Sequence, residues 1–369
     1  MLNCSVFSQE VGFDTNAKVT YLHDSNIFKT NNSVGDSILS VEPTVGYVNS
    51  DGVSKLQASY QGSYSYFKEY SDLSFSEHNI FLKHSLVHSY AFSSEINLNY
   101  LSEIELPEEN NALAIQVSEF TQRSGFDISA KLLYGTVNST GQLIASYVHQ
   151  ELEYDNNGQE FRSYKKDSLD GTFLYRISPV TRLLLETGQS KLKSTNNLII
   201  DRSSTDSIYL AGVEWSLTDT TTNSFKVGYE KVNYDIESLV DLSALSYNLD
   251  MNWKPSTYSL LKLGASRSVR ESAVQSIGGF IGTDYNIGLE YDFTNDIKFN
   301  VNYSFAKSDF DDSLARKDEV QTYSAQLSYK LNYWLQLIAE GIVNKRSSSF
   351  EIYNYDASIL GLSVSVSFD

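Results

Sequence analysis

Residues Lys298–Phe305 read K-F-N-V-N-Y-S-F. In an extended chain successive side chains leave on opposite faces. Phe299, Val301, Tyr303 and Phe305 therefore share one face, and Lys298, Asn300, Asn302 and Ser304 share the other. One face is greasy and the other wet, with a period of two. The same unit of roughly ten residues, closed by a turn, recurs from about residue 15 to the C-terminus. A soluble sandwich also alternates, but its outward face carries the charge. Here the apolar face is Tyr, Leu, Val and Phe, and the polar face is Ser, Asn, Thr and Gly with scattered charge. Repeated around a closed sheet, this pattern predicts a transmembrane antiparallel β-barrel.

Composition agrees. The 369 residues show no break in character, and large barrels run long as single domains. Only four prolines occur, as a strand-rich chain requires, because proline cannot donate to a ladder. Tyr, Phe and Trp number 26, 19 and 3, a load that suits girdles at the headgroup level. No apolar run is long enough for a transmembrane helix, and alternation keeps mean hydropathy low in barrels anyway. A single cysteine, Cys4, excludes a disulfide framework. It lies in M-L-N-C-S-V-F-S, residues 1–8, read as a signal-peptide remnant or disordered N-terminus, with Val6 and Ser8 as small residues before a cleavage. Residues 9–369 then form one barrel domain. The net charge of −18 argues against nucleic acid as a partner. Acidic outer segments (Glu103–Glu109, Glu151–Glu160, Asp309–Glu319) read as solvated loops that could hold divalent cations at a lipopolysaccharide surface.

Connections alternate between short and long. Short ones carry turn chemistry, as in Asn49–Gly52 (N-S-D-G), Asn138–Gly141 (N-S-T-G), Ser178–Thr181 (S-P-V-T) and Lys254–Thr257 (K-P-S-T). Longer, more polar segments fall near 25–36, 68–73, 105–124, 154–163, 194–204, 235–241, 272–279, 309–318 and 345–353. Counting strands between them gives eighteen, with sixteen possible, and the even count places both termini on the short-turn, periplasmic side. Ala112–Phe120 is read as a loop excursion or an extra strand. A barrel of this size leaves an aqueous lumen.

The faces can be assigned. Trp215, Trp253, Phe293 and Tyr329 end outward sets near short turns and form a candidate aromatic belt. Gln57, Asp127, Lys131, Asp170, Glu214, Glu230, Asp250, Asp284 and Glu290 fall on the opposite face and are the candidate lumen lining. An Arg or Lys at the lipid midplane would cost on the order of 2–4 kcal/mol, so such positions should face water. The last strand, L-G-L-S-V-S-V-S-F-D, carries Phe368 as a candidate assembly signal, displaced one place from the end by Asp369.

No chemistry stands out. His78, His84 and His88 share one face of one strand, in the company of Ile80, Leu82 and Leu86. Residues four apart along a strand are too distant to chelate one ion, so no metal site is expected. Neither a serine-nucleophile elbow nor a phosphate-binding glycine loop is present. Gly278, Gly279 and Gly282 mark a loop-to-strand junction where backbone freedom is useful.

The segment Val19–Phe28 (V-T-Y-L-H-D-S-N-I-F), then Glu42-Pro43 with Val45-Gly46-Tyr47, then the Tyr-rich run Tyr60–Tyr70 leading into Asp72, resemble the start of a porin-like outer-membrane β-barrel family associated with exopolysaccharide and capsule biosynthesis and export. The resemblance spans about 14–369, and Tyr21, Asp24, Asn26, Ile27 and Phe28 match its opening motif. It implies an outer-membrane pore that passes a polysaccharide chain to the surface with a periplasmic polysaccharide export protein. It implies no catalytic residue and no cofactor. The opening motif reads as structure at the outer rim. Further expected partners are outer-membrane lipid, lipopolysaccharide and the barrel assembly machinery. A general or substrate-specific diffusion porin is the alternative, and a barrel enzyme or surface adhesin the alternative of another class.

Overall fold

The computed structural model describes residues 11–107, 118–196, 200–218, 221–274, 276–310 and 316–368. Within them the chain is a run of strands joined by turns, loops and three short 3-10 turns. The first six strands are β1 (Gly12–Asp24), β2 (Asp36–Ser50), β3 (Ser54–Phe67), β4 (Phe75–Ser89), β5 (Phe92–Glu105) and β6 (Thr121–Tyr134). The next six are β7 (Gly141–Tyr154), β8 (Tyr164–Ser178), β9 (Thr181–Ser194), β10 (Ser204–Thr218), β11 (Thr221–Tyr234) and β12 (Leu242–Ser256). The last six are β13 (Ser259–Glu271), β14 (Gly279–Asp292), β15 (Ile297–Asp309), β16 (Lys317–Lys330), β17 (Leu335–Ser348) and β18 (Tyr355–Phe368).

Each strand pairs antiparallel with its neighbour in sequence, and β18 returns to β1, from Thr15 opposite Phe368 to Asp24 opposite Ile359. The result is a closed, all-β barrel of eighteen strands. Closure matters because hydrocarbon offers no partner to an open sheet edge. β5 and β6 pair directly from Phe92–Tyr134 to Glu105–Thr121, so no strand intervenes between them. The middle of the 105–124 segment, which includes most of the Ala112–Phe120 stretch, lies outside the described residues, as do residues 1–8 with Cys4.

The short turns form where the side chains dictate. Asp51 Oδ1 accepts the Val53 and Ser54 amides at 2.9 and 2.7 Å, and Gly52 between them sits at φ 87°. Asn332 Oδ1 accepts the Trp334 and Leu335 amides in the same manner at 3.0 and 2.9 Å. These are Asx turns, in which a side chain takes over a backbone acceptor's role.

At the long-loop end the connections pack on the lumen mouth. Register places Ile38, Phe67 and Phe75 on the wet face there, yet they are covered. Ile27 and Phe28 from the β1–β2 loop join Phe67, Leu73, Ile104 and Phe120 in one apolar cluster. Phe28 meets Tyr70 edge-on at 5.4 Å, and Phe120 meets Phe67 at 5.7 Å. The loop is locked polar-side by Asp24, whose carboxylate takes the Asn26 amide at 2.8 Å and Lys29 Nζ at 2.7 Å. Fully buried Asn26 donates to the carbonyls of Thr30 at 2.7 Å and Asp356 at 2.9 Å, which ties the loop to β18. Asp24, Asn26, Ile27 and Phe28 are thus one structural knot at the rim, while Tyr21 of the same motif points outward, 56% exposed.

Asn26→Ala removes the buried amide that bridges the Thr30 and Asp356 carbonyls, a cost of about 1 kcal/mol per lost hydrogen bond. The expected result is a lower urea midpoint in detergent than for the exposed Asn32→Ala, read by the change in electrophoretic mobility on unfolding. Equal midpoints would refute the knot's role in stability.

Candidate permeation pathway

Two faces follow from the register. Large apolar side chains exposed on the outside include Tyr285, Ile287, Leu327 and Leu362, between 46% and 67% accessible. The other face carries most of the wall's ion pairs and encloses the lumen. Cross-strand pairs there include Lys83–Glu95 at 3.0 Å, Lys226–Glu186 at 2.7 Å, Lys166–Asp206 at 3.1 Å and Lys18–Glu42 at 3.4 Å. Lys18–Glu42 and Lys83–Glu95 join neighbouring strands, where opposite charges directly or diagonally apposed attract, while Lys226–Glu186 and Lys166–Asp206 each reach across one intervening strand.

All nine residues expected to line the lumen lie on this face by register, but they divide into two groups. Four are held. Glu214 is gripped by Arg182, whose Nε lies 3.0 Å from Oε1 and whose Nη1 reaches Gln142 at 3.0 Å. Asp284 pairs with Arg270 and accepts Ser266 Oγ at 3.1 Å. Glu290 pairs with Lys262. Glu230 accepts Ser246 Oγ at 2.6 Å and the Val269 amide at 3.0 Å, so it clamps the turned-in end of β13. The other five, Gln57, Asp127, Lys131, Asp170 and Asp250, make no hydrogen bond or ion pair with the described residues.

Several wall side chains lie flat over a facing glycine. Asp170 is opposite Gly188, Asn286 opposite Gly264, and Glu340 opposite Gly361. A Cβ on Gly188 would sit within contact of the Asp170 carboxylate, and one on Gly361 would lie 3.0 Å from Glu340 Oε1. The missing side chains leave room for a carboxylate or amide to hug the wall and keep the channel wide. Gly278 and Gly279 serve a related need, since a Cβ on Gly278 would collide with the Tyr234 ring. Close approach, not a left-handed backbone, is what the junction demands.

The mouth is organised by arginines that composition and alternation did not single out. Buried Arg162, in the β7–β8 loop, grips Glu105 with Nη1–Oε2 at 2.6 Å and Nη2–Oε1 at 2.8 Å, and lies over the Tyr154 ring at 4.3 Å. Arg123 joins through Glu103 Oε1 at 2.8 Å. Arg202, in the β9–β10 loop, donates to the carbonyls of Ser272 at 2.7 Å and Gly278 at 2.9 Å, and also to Ile277. That anchors the β13–β14 loop inward over Tyr234. Arg316 lies between the Phe310 and Tyr353 rings, at 4.3 and 3.6 Å, and shares Asp318 Oδ2 with Arg346 at 2.6 and 2.7 Å. The forked guanidinium suits these tasks because it presents a planar face to a ring and several donors at once. The sequence signal for Arg162 and Arg202 was weak: both sit inside polar loops, with partners 57 to 76 residues away.

Between the Arg162 and Arg202 knots lies a cavity of about 170 Å³. Lys166, Arg270, Asp206 and Glu271 line it beside the two arginines. Glu271 has no hydrogen bond to the described residues and faces a cationic surround.

The remaining expected positions are plainly located. Trp215, Trp253 and Tyr329 lie outward near short turns, and Phe293 follows β14 in its turn, against Tyr291 at 4.9 Å. Tyr90 and Tyr333, 88% and 93% exposed, occupy other short turns and extend that aromatic set. Phe368 sits outward on β18, its carbonyl accepting Thr15 Oγ1 at 3.1 Å. His78, His84 and His88 each bond a different hydroxyl, on Tyr60, Ser54 and Ser94 at 3.0, 2.8 and 2.7 Å. Among the described residues no group of three or more His, Cys, Asp or Glu could hold a metal ion.

The family model described as "Putative beta-barrel porin 2" matches residues 13–368. The chain belongs to this porin family. No curated protein matches it. Among solved structures it resembles OpdO (OccK3) of Pseudomonas aeruginosa at 11% identity, covering 96% of this chain and 95% of that one, with a TM-score of 0.53. The outer membrane protein opdK of Pseudomonas aeruginosa gives 13% identity, 96% and 98% coverage and a TM-score of 0.50. The FrpB iron transporter of Neisseria meningitidis gives 11% identity, 98% and 82% coverage and a TM-score of 0.50. At these identities the likeness establishes the fold. The protein is a porin-like β-barrel of the Gram-negative outer membrane, in the company of channels and transporters and not of enzymes. Nothing in the family match or these structures connects it with exopolysaccharide.

Arg202→Ala withdraws the donor from three loop carbonyls and releases the β13–β14 loop. A larger single-channel conductance in planar bilayers is expected, together with new protease cleavage within residues 272–278. Unchanged conductance would show that this loop does not narrow the mouth.

Proposed function

We propose that this porin is a diffusion channel for small hydrophilic solutes with a preference for cations. The observation that carries the proposal is the lumen wall: Asp127, Asp170 and Asp250 have no ion pair among the described residues, while Lys18, Lys83, Lys166, Arg182, Lys226, Lys262 and Arg270 are each neutralised by an acid. That leaves Lys131 as the free base of the mid-wall and Lys55 and Lys330 as free bases near the short turns. Fixed like charges in a low-dielectric tube focus the potential and raise the local concentration of counter-ions. The inward loops narrow the long-loop end, and the cavity beside Glu271 offers a solute one place of closer contact. Weak and repeated contacts suit passage, because tight binding would hold the solute back.

A polymer conduit would need aromatic faces along the wall for sugar rings. Register puts Tyr154, Tyr164, Tyr234 and Tyr355 on the lumen face, all at the long-loop end. Tyr154 is covered by Arg162, Tyr234 by Gly278, and Tyr355 is buried. The many other strand tyrosines face lipid. Among the described residues no aromatic track runs through the channel, and this weighs toward the porin and against export.

In planar bilayers the protein is expected to give steady conductance and a reversal potential favouring K⁺ over Cl⁻. The triple variant D127N/D170N/D250N should shift that potential toward zero, most clearly below 0.1 M salt, where the screening length exceeds about 10 Å. Absence of steady conductance would overturn the channel, and an unshifted potential would overturn the role of the three carboxylates.

A further inference from the structure

The lipid-facing wall carries a feature that permeation does not use. Across β5–β12 the outside of the barrel is hollowed by about 1070 Å³, lined almost wholly by apolar groups. Its floor is a row of small side chains: Ala145 pairs with Gly171, and Gly171 with Thr187. Its walls include Phe173, Leu185, Tyr209 and Tyr229. A Cβ on Gly171 would meet nothing within 4 Å, so the space above it is open. Further along the same strands, toward the long loops, a second hollow of about 320 Å³ adjoins it, lined by Tyr147, Asp167, Leu169, Gln189, Lys191 and Thr205. The two form one trough, apolar below and polar above.

Lysines rim its upper end. Lys191 and Lys193 on β9, Lys165 on β8 and Lys231 on β11 all leave on the outward face and are exposed. Lys165 stands directly opposite Lys193, a like-charge apposition that is unfavourable without an anion. Lys165 turns away to Glu151 at 2.6 Å. Lys191, Lys193 and Lys231 have no ion pair among the described residues. The acids on this face are Glu151, Glu153 and Asp167. Glu151 is taken by Lys165 and His149, and Asp167 by Tyr147 OH at 2.6 Å and His149 Nδ1 at 2.8 Å, which leaves Glu153 exposed at the end of β7. On β15, by contrast, outward Lys307 is matched by Asp309 at 3.1 Å.

The height is right for a headgroup. From Tyr175 to Lys165 β8 advances about 34 Å, or roughly 25 Å along the membrane normal at a tilt near 45°, which spans the apolar band of such barrels. We infer that this trough is a binding site for one phosphorylated outer-leaflet glycolipid of the lipid A type, its acyl chains in the apolar hollow and its phosphates on Lys191, Lys193 and Lys231. The occupant follows from charge complementarity. Lys191 stands opposite Asp167, whose carboxylate is already engaged by Tyr147 and His149, while Lys193 and Lys231 have no acid opposite them. A neutral or cationic headgroup would therefore leave this lysine rim short of negative charge, and a second copy of this face would set lysines against lysines. The site rests on the long loops facing outward and is independent of what the lumen transports.

The test is native mass spectrometry of the detergent-purified barrel titrated with lipid A and, separately, with phosphatidylglycerol. Wild type should retain one lipid A per chain in preference to phosphatidylglycerol. K191E/K193E/K231E should bind lipid A about 100-fold more weakly. K345E, an exposed outward lysine at the long-loop end of β17, should bind as wild type does. Gly171→Trp, which fills the apolar hollow from a position with open space, should displace the lipid while leaving conductance unchanged. Equal weakening by K345E would mean diffuse attraction only and overturn the site. So would equal retention of phosphatidylglycerol, undiminished binding by the triple variant, or a dimer that excludes lipid.

Discussion

Every backbone N–H and C=O that enters hydrocarbon must find a partner within the protein, and the rest of this structure depends on that constraint. The critical seam is β1 against β18, where the two ends of the chain meet. Backbone pairing along it is reinforced on the lumen side. Asn16 Nδ2 reaches Ser365 and Ser367 at 2.9 and 2.8 Å, and the Thr20 and Ser363 hydroxyls lie 2.8 Å apart. At the rim the Ser25 amide reaches the Ser358 carbonyl at 2.9 Å, and Asn26 reaches that of Asp356. The opening motif therefore secures the last place where an edge could open.

Once the barrel is closed, wall and mouth solve different problems. The wall needs only short cross-strand pairs and small residues, so a water-filled tube stays open. The mouth must hold long loops that have no sheet of their own. It does so with arginines that bind carbonyls, carboxylates and aromatic faces together. Breaking a buried pair by removing one partner typically costs about 3–5 kcal/mol, which makes these knots firm anchors. They also cover Tyr154 and Tyr234 on the lumen face, and most strand tyrosines are on the membrane side.

Much of the architecture was legible in residue order. Strand faces, turns and the eighteen-strand count follow from a period of two broken by Asn, Gly and Pro, all local properties. The nine lumen candidates share one face of the sheet for the same reason. Which of them are free was not legible: Asp284 and Asp250 look alike in sequence, yet only one has a guanidinium within reach. Arg162 with Glu105 and Arg202 with Ser272 are separated by 57 and 70 residues, and no periodicity announces a contact of that kind.

By itself the sequence determined that this chain is a transmembrane barrel, because alternation sets the faces strand by strand without reference to distant residues. Only the tertiary structure decided how the mouth is narrowed, which carboxylates stay unpaired along the channel, and where the outer wall is hollow beneath a rim of lysines. Those depend on curvature and register around a closed ring, which bring side chains from separate strands together at distances the linear order does not encode.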